Sequence, residues 1–302
     1  MGVSRINIHH LELFCFVVEE GSISQAARRA YLSQPAVTRQ IRQLEAHYGT
    51  PLFDRTDGKL AVTKAGKTLY QYAKTITTDF RNSEEAIRRL AGKIEPHLKI
   101  GASLTIGEYL LPEILGRFKR VNPHIKLSLK IGNTPAMLEA LTMNHIHIAL
   151  VEGVVEDNYF DVSKFAEDEL ILVCSSEHPW EKKQEIYLKE LLHERMIWRE
   201  EDSGTRKIIE NVFKQHNMLD KIENYMELGS TQAIKAAVEA NLGISILPKM
   251  SVEKELKSGT LHRVKIEQLR LKRDLWLVTK SSRFEYAELD KLIAFIQSYD
   301  RP

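Results

Sequence analysis

The chain has 302 residues, 43% of them hydrophobic and 28% charged, with 15 Gly and 9 Pro. That length exceeds one usual domain, and the composition excludes disordered, collagen-like and disulfide-rich classes. The formal net charge of +2 hides an asymmetry: residues 1–92 carry 13 Lys+Arg against 9 Asp+Glu and the remainder is slightly acidic, which supports a polyanionic partner for the N-terminal part. Cys15 and Cys174 lack CxxC spacing and are too few for a structural zinc site, so they read as reduced thiols and no metal is expected. The opening MGVSRINIHH has no apolar leader core, and no stretch approaches the roughly 18 apolar residues of a membrane span; the expectation is a cytoplasmic protein without membrane contact.

Asn7 can cap a first helix carrying Ile8, Leu11, Phe14 and Val18 on one face, with Gly21 to end it. Ser22-Ile23-Ser24-Gln25 fits a capping box opening a short helix whose Ala26, Ala27 and Ala30 permit close packing. After the Tyr31-Leu32 turn, Ser33 can cap a third helix that tolerates Pro35 in its first turn. Val37, Ile41, Leu44 and Tyr48 recur at helical spacing as its inner face, whereas Gln34, Thr38, Arg39, Arg42 and Gln43 point elsewhere, and Gly49 closes it. A short helix, a tight turn and a longer helix with a polar face make the helix-turn-helix pattern, whose second helix enters the DNA major groove. The outward residue types suit that task, since Arg bonds guanine, Gln bonds adenine and Thr touches a thymine methyl; the plainer alternative is a solvated helix face. Residues 52–63 read as a hairpin with Asp57-Gly58 at its tip, a wing that brings Arg55 and Lys59 to phosphates or a minor groove.

The run LELFCFVVEEGSISQAARRAYLSQPAVTRQIRQLEAHYGTPLFDRTDGKLAVTKAG resembles the LysR-type transcriptional regulators over nearly the whole winged helix-turn-helix. The resemblance implies a recognition helix starting near Ser33 and Gln34, with Gln34, Pro35, Thr38, Arg39 and Arg42 facing double-stranded DNA and Arg55 on its backbone. It also implies a transcriptional regulator, with RNA polymerase as a further partner and a homotetramer built as two dimers.

From Lys64 to about Ala91 there is no proline, and Leu69, Ala73, Ile76, Phe80, Ser83, Ile87 and Leu90 alternate in steps of four and three. This heptad seam predicts a long helix that pairs with a second copy, the alternative being packing on its own chain. A homodimer would present two recognition helices to a roughly palindromic operator.

Gly92 to Pro96 reads as a hinge, after which strands and helices alternate in an α/β pattern with mostly parallel sheets. Candidate strands are 97–102, 125–131, 146–151, 170–174, 196–198, 225–228, 244–247 and 275–279; candidate helices include 110–120, 135–143, 206–215, 232–240 and 286–299. Ligands of such folds bind beyond strand C-termini, where helix N-termini offer free N–H groups. Hydroxyls mark several of these junctions: Ser103 and Thr105, Thr134, Ser203 and Thr205, Ser230 and Thr231. Each serves equally as a helix cap, so the set matters only if it converges. The resemblance implies that it does. The family's effector domain is similar to a periplasmic binding protein, two Rossmann-like subdomains with a cleft lined here by Ser103, Thr105, Thr134, Glu152, Ser203, Thr205 and Arg206. GASLTIGEYLLPEIL, LVEG and AVEANLGISILP further resemble the branch linked to cysteine, sulfur and carbon-fixation genes.

The expected domains are therefore a winged helix-turn-helix over 1–63, a dimerising helix over 64–92 and an effector domain over 93–302, split into about 93–165 plus 266–302 and about 166–265. Hydroxyls and helix N-termini favour a small anionic effector, with Glu152 balanced by Arg199 or Arg206, or else binding an ammonium group. Trp180 and Trp198 read as core. Cys174 with Ser175 and His178 matches no established catalytic spacing, and Gly-x-Ser-x-Gly and P-loop motifs are absent, so neither an enzyme nor a cofactor is expected.

Overall fold

The computed structural model describes residues 6–56, 59–92, 95–153, 155, 159–280 and 286–299; the Asp57-Gly58 tip expected of the wing lies outside them. The chain forms two compact units, Met1–Ile94 and Glu95–Pro302.

The first unit begins with α1, Ile8–Glu20, where the Asn7 side chain accepts from the His10 N–H and His10 accepts from the Asn7 N–H in return. Helices α2 (Ile23–Arg29) and α3 (Gln34–Tyr48) follow, capped by Ser22 and Ser33. A two-stranded hairpin, β1 (Phe53–Thr56) with β2 (Lys59–Val62), leads into α4, Lys64–Leu90. Phe14, Leu13, Val37, Ile41, Leu44 and Leu52 form the buried centre. Tyr48 is 46% exposed, so the inner face of α3 stops at Leu44 instead of continuing to Tyr48. Glu19 at the end of α1 ties three helices together: it takes Arg29 from α2 at 2.7 Å and both Lys74 and the Tyr70 hydroxyl from α4. Burial pulls the Glu19 carboxyl up, but the bonds from Lys74, Arg29 and Tyr70 outweigh it and hold it below the usual range.

In α4 the expected seam divides. Ala73 is buried and Leu69 packs with it against the core of the first unit, whereas Tyr72, Ile76, Phe80 and Ile87 are exposed. The apolar face available to another molecule is thus Tyr72-Ile76-Phe80-Ile87, which keeps Ile76, Phe80 and Ile87 of the expected seam and loses Leu69 and Ala73 to the core of the first unit, where α1 packs on α4.

In the second unit, β3 (His97–Ser103) lies between β4 (Lys126–Gly132) and β5 (Ile148–Glu152), all parallel. Beyond β5 the sheet turns antiparallel: β12 (Leu271–Lys280) pairs with β5 and with the long β6 (Phe160–Ser175). The far end of β6 carries β10 (Ser245–Pro248) on one side and β11 (Leu261–Ile266) on the other, and β7 (Glu185–Ile186) closes that edge. A parallel pair, β8 (Met196–Trp198) and β9 (Tyr225–Glu227), stands beside it. The main sheet is therefore mixed, not mostly parallel, because β12 runs antiparallel to β5 and β6 runs antiparallel to β10, β11 and β12.

Two groups of helices cover this sheet. Helices α5 (Leu111–Val121) and α10 (Ala287–Gln297) pack on one face of β3, β5 and β12, with α6 (Thr134–Thr142) on the other. At the far end of β6, Leu170, Leu172 and Cys174 face α7 (Gly204–Gln215), while Ile171 and Val173 face α8 (Thr231–Glu239) and α9 (Lys249–Ser258). Strand alternation alone thus feeds two cores from one apolar run. Trp180 and Trp198 are both buried in the first of them.

Candidate functional site

At the start of α3 the Ser33 hydroxyl accepts from the Ala36 N–H at 3.4 Å, and Pro35 sits in the first turn, where no intrahelical N–H is lost. Ser33, Gln34, Pro35, Arg39 and Arg42 are exposed. Among the described residues neither arginine has a carboxylate partner. Thr38 donates its hydroxyl to the Gln34 carbonyl at 2.9 Å, which leaves its methyl as the outward group. Gln43, expected to point away from the core, instead bonds His10 on α1 at 3.1 Å. Glu45 accepts from the Leu52 and Phe53 N–H groups at 2.9 and 3.3 Å, fixing the base of the wing to α3. In the wing Arg55 is opposite Leu60 and Thr56 opposite Lys59; the side chains of Arg55 and Lys59 lie outside the described residues. One helix face thus presents unneutralised guanidinium, amide and methyl groups, the set that reads base edges.

Three of the strand-to-helix junctions of the second unit, at Ser103, Thr134 and Gly204, meet at Glu152, the last residue of β5. Its side chain is 6% exposed and accepts from the Ser103 hydroxyl, while its carbonyl accepts from Thr134 at 3.1 Å. Gly204, at the N-terminus of α7, lies so close that a Cβ there would meet Glu152 Cγ and its carbonyl at 3.2 Å and the Thr134 hydroxyl at 3.4 Å. The two neighbouring helix starts are capped: Asn133 accepts from the Ala136 N–H at 3.0 Å and Ser203 from the Arg206 N–H at 3.4 Å. Thr105 is fully buried, and its hydroxyl has no hydrogen-bond partner among the described residues.

Neither expected arginine balances Glu152. Arg199 is held by both oxygens of Glu200 at 2.7 Å and reaches Thr231 at 3.2 Å. Arg206 pairs with Glu210 and Glu227, bonds the Arg199 carbonyl and lies over Trp198; desolvation pulls its pKa down, and the two carboxylates more than restore it. Ser230 caps α8 by accepting from Ala233 at 3.1 Å. The cation near Glu152 is Arg273 of β12, 3.6 Å away, which the sequence reading missed. Arg273 also takes Asp168 of β6 at 2.7 Å and donates to the Thr205 hydroxyl at 2.8 Å. One guanidinium therefore links β5, β6, β12 and α7.

Cys174 is fully buried at the end of β6. Burial pushes its thiol up to about 11, and His178 is engaged elsewhere, accepting from the Trp180 N–H and facing Glu194. Burial likewise pushes Cys15 up to about 12. Among the described residues no group of His, Cys, Asp or Glu could hold a metal ion, and no helix is long and apolar enough to cross a membrane.

Comparison with known proteins agrees with this division. Residues 8–67 match the pattern of the bacterial regulatory helix-turn-helix proteins of the lysR family, and residues 91–301 match the LysR substrate binding domain. A probable RuBisCO transcriptional regulator of Cyanidioschyzon merolae is 33% identical, across 92% of this chain and 93% of its own length. The HTH-type transcriptional regulator CysL of Bacillus subtilis is 32% identical across 88% of each chain. Among solved structures, the regulatory domain of Synechocystis CcmR in complex with 2-PG is 25% identical and superposes with a TM-score of 0.62, covering 68% of this chain and 97% of that one. Two family patterns spanning nearly the whole sequence, and relatives a third identical over most of their length, lead to one conclusion: this chain belongs to the LysR-type transcriptional regulators, and is a DNA-binding regulator with an effector-binding domain rather than an enzyme.

Proposed function

We propose that the effector is a small oxyanion-bearing metabolite that binds between the N-termini of α6 and α7 and competes there with the Glu152 carboxylate. The observation that carries this reading is the convergence of Ser103, Thr134 and Gly204 on Glu152. The Ser103 hydroxyl and Arg273 face the Glu152 carboxylate, with the start of α7 at Gly204 beside it, an arrangement that suits an anion, and Glu152 holds the place of that anion until one arrives. The buried Thr105 hydroxyl supplies a donor with no present partner, and Ser203 and Thr205 bound the far side. Arg199, Arg206 and Ser230 stand one layer back, holding loop and helix ends. CcmR in complex with 2-phosphoglycolate supports an anion of this class, and relatives named for RuBisCO and cysteine regulation support target genes of carbon or sulfur assimilation.

At the other end, Gln34, Pro35, Thr38, Arg39 and Arg42 enter the major groove, and Ser33, Arg55 and Lys59 meet phosphates. Pairing of α4 helices makes a dimer, and two dimers a tetramer, on a roughly palindromic operator, activating transcription in the cytoplasm by contact with RNA polymerase. Residues 1–63, 64–92 and 93–302 carry the DNA-binding, dimerising and effector-binding roles, the last split at about 165 and 265.

Thermal-shift titration of the full chain with 2-phosphoglycolate, phosphate and sulfate tests the effector reading, since saturation at about 100 Kd adds roughly 2.7 kcal/mol to the folded state. Glu152→Gln removes the competing charge and should tighten anion binding about tenfold or more, whereas Ser103→Ala should weaken it. Loss of all anion binding in Glu152→Gln, with an amino acid stabilising only the wild type, would mean that Glu152 receives an ammonium group instead.

A further inference from the structure

We propose that Tyr31, in the turn ahead of α3, is a DNA-contacting residue whose phenol donates a hydrogen bond to a phosphate oxygen at the rim of the groove that α3 enters. The proposal rests on the groove reading of α3 given above.

Helix α2 closes with two bonds: the Tyr31 N–H donates to the Arg28 carbonyl at 3.2 Å and the Leu32 N–H to the Ala27 carbonyl at 2.9 Å. This pairing wraps the chain over one left-handed residue, a position that glycine fills without penalty. Helices α1 and α3 of the same unit use glycine there, Gly21 with φ 60° and Gly49 with φ 65°. At α2 the residue is Tyr31, with φ 56°. The other non-glycine residues with positive φ among the described ones are Asn144, Asn217, Asn241 and Gln268. All four carry amides, and asparagine in particular tolerates this region. Tyr31 is the aromatic exception.

Packing does not account for it. The residue is 95% exposed, so its ring buries almost nothing in return for the strained backbone. A residue kept against its conformational preference, with its side chain in solvent, has its reason in something that side chain meets. Position supplies that reason. Tyr31 lies two residues before the Ser33 cap and is followed by the exposed Gln34 and Pro35. A recognition helix that enters the groove by its N-terminus carries the residues just ahead of its cap past the phosphate backbone. Tyrosine hydroxyls bond phosphates there, a contact that fixes register without reading sequence.

The test uses the full chain and two duplexes: one selected by the wild type from a random-sequence pool, and a scrambled version of it. Tyr31→Gly should raise the melting temperature of the DNA-binding unit, followed by circular dichroism, while weakening binding to both duplexes about tenfold. Tyr31→Phe keeps the backbone strain, so it should leave the melting temperature unchanged and still weaken binding to both by about threefold or more. Gln34→Ala serves as the control on α3 and should reduce the preference between the two duplexes. Wild-type affinity in both Tyr31 variants, with that preference reduced in Gln34→Ala, overturns the Tyr31 contact and leaves the α3 reading in place. A weakened Tyr31→Gly beside an unaffected Tyr31→Phe overturns the phenol bond. If Gln34→Ala also binds both duplexes as the wild type does, the groove reading falls with it.

Discussion

Replacing Arg273 with Met would take away the cation that both Glu152 and Asp168 face while keeping much of the side-chain volume. Removing one partner of a buried ion pair typically costs about 3–5 kcal/mol, because the remaining charges stay in a low-dielectric site. Arg273→Met should therefore destabilise the second unit by about that amount. Urea unfolding followed by tryptophan fluorescence reads it cleanly, since Trp180, Trp198 and Trp276 all belong to that unit; a loss below about 1 kcal/mol would show that water or rearrangement compensates. The hydroxyls that meet Glu152, those of Ser103 and Thr134, stood out in the sequence because each stands where a strand gives way to a helix. Arg273 and its partner Asp168, 105 positions apart, stand inside strands. A signal did exist. In Leu271-Lys272-Arg273-Asp274-Leu275, Arg273 shares the parity of the buried leucines, and Asp168 shares that of Leu170 and Leu172. A charge on the inward phase of a strand must find a partner, and looking for such charges would have found this pair.

At the scale of elements, strands were recognised where their apolar content was high and lost where it was not. The first part of β6, Phe160 to Glu169, is largely polar and half-exposed, so only its apolar end at Leu170–Cys174 announced itself. With that stretch unread, the antiparallel pairing of β6 with β12 could not be anticipated, and helices between strands suggested a parallel sheet. The seam of α4 misled differently. Its spacing is genuine, yet periodicity does not say which neighbour covers which turn, and α1 claims Ala73 while leaving Phe80 open. That division predicts different outcomes for two substitutions on one helix. Phe80→Glu alters a residue exposed in the single chain, so the protein should fold, sediment as a monomer and bind operator DNA far more weakly. Ala73→Glu drives a charge into the core of the first unit and should abolish its folding, seen as a lost helical transition by circular dichroism. An oligomer that survives Phe80→Glu would place the pairing surface elsewhere.

Across the whole molecule, separate cores in the two units mean that each ligand acts first on its own unit: DNA on the first, effector on the second. Regulation requires more than two independent binding events. An effector shifts the DNA-bound arrangement only by the difference in its affinity for the two states, and that difference is a coupling free energy shared by both ligands. If the effector changes operator affinity by some factor, operator must change effector affinity by the same factor, about 5- to 150-fold in typical allosteric proteins. Titrating the full chain with effector at saturating and at zero operator, and with operator at saturating and at zero effector, gives the two factors independently. They should agree, and both should shrink toward one in Phe80→Glu, because a monomer has no second recognition helix whose spacing the effector could alter. Equal effector affinity with and without operator would mean that this cleft fills without changing how the protein holds DNA, and control of transcription would then have to act after binding.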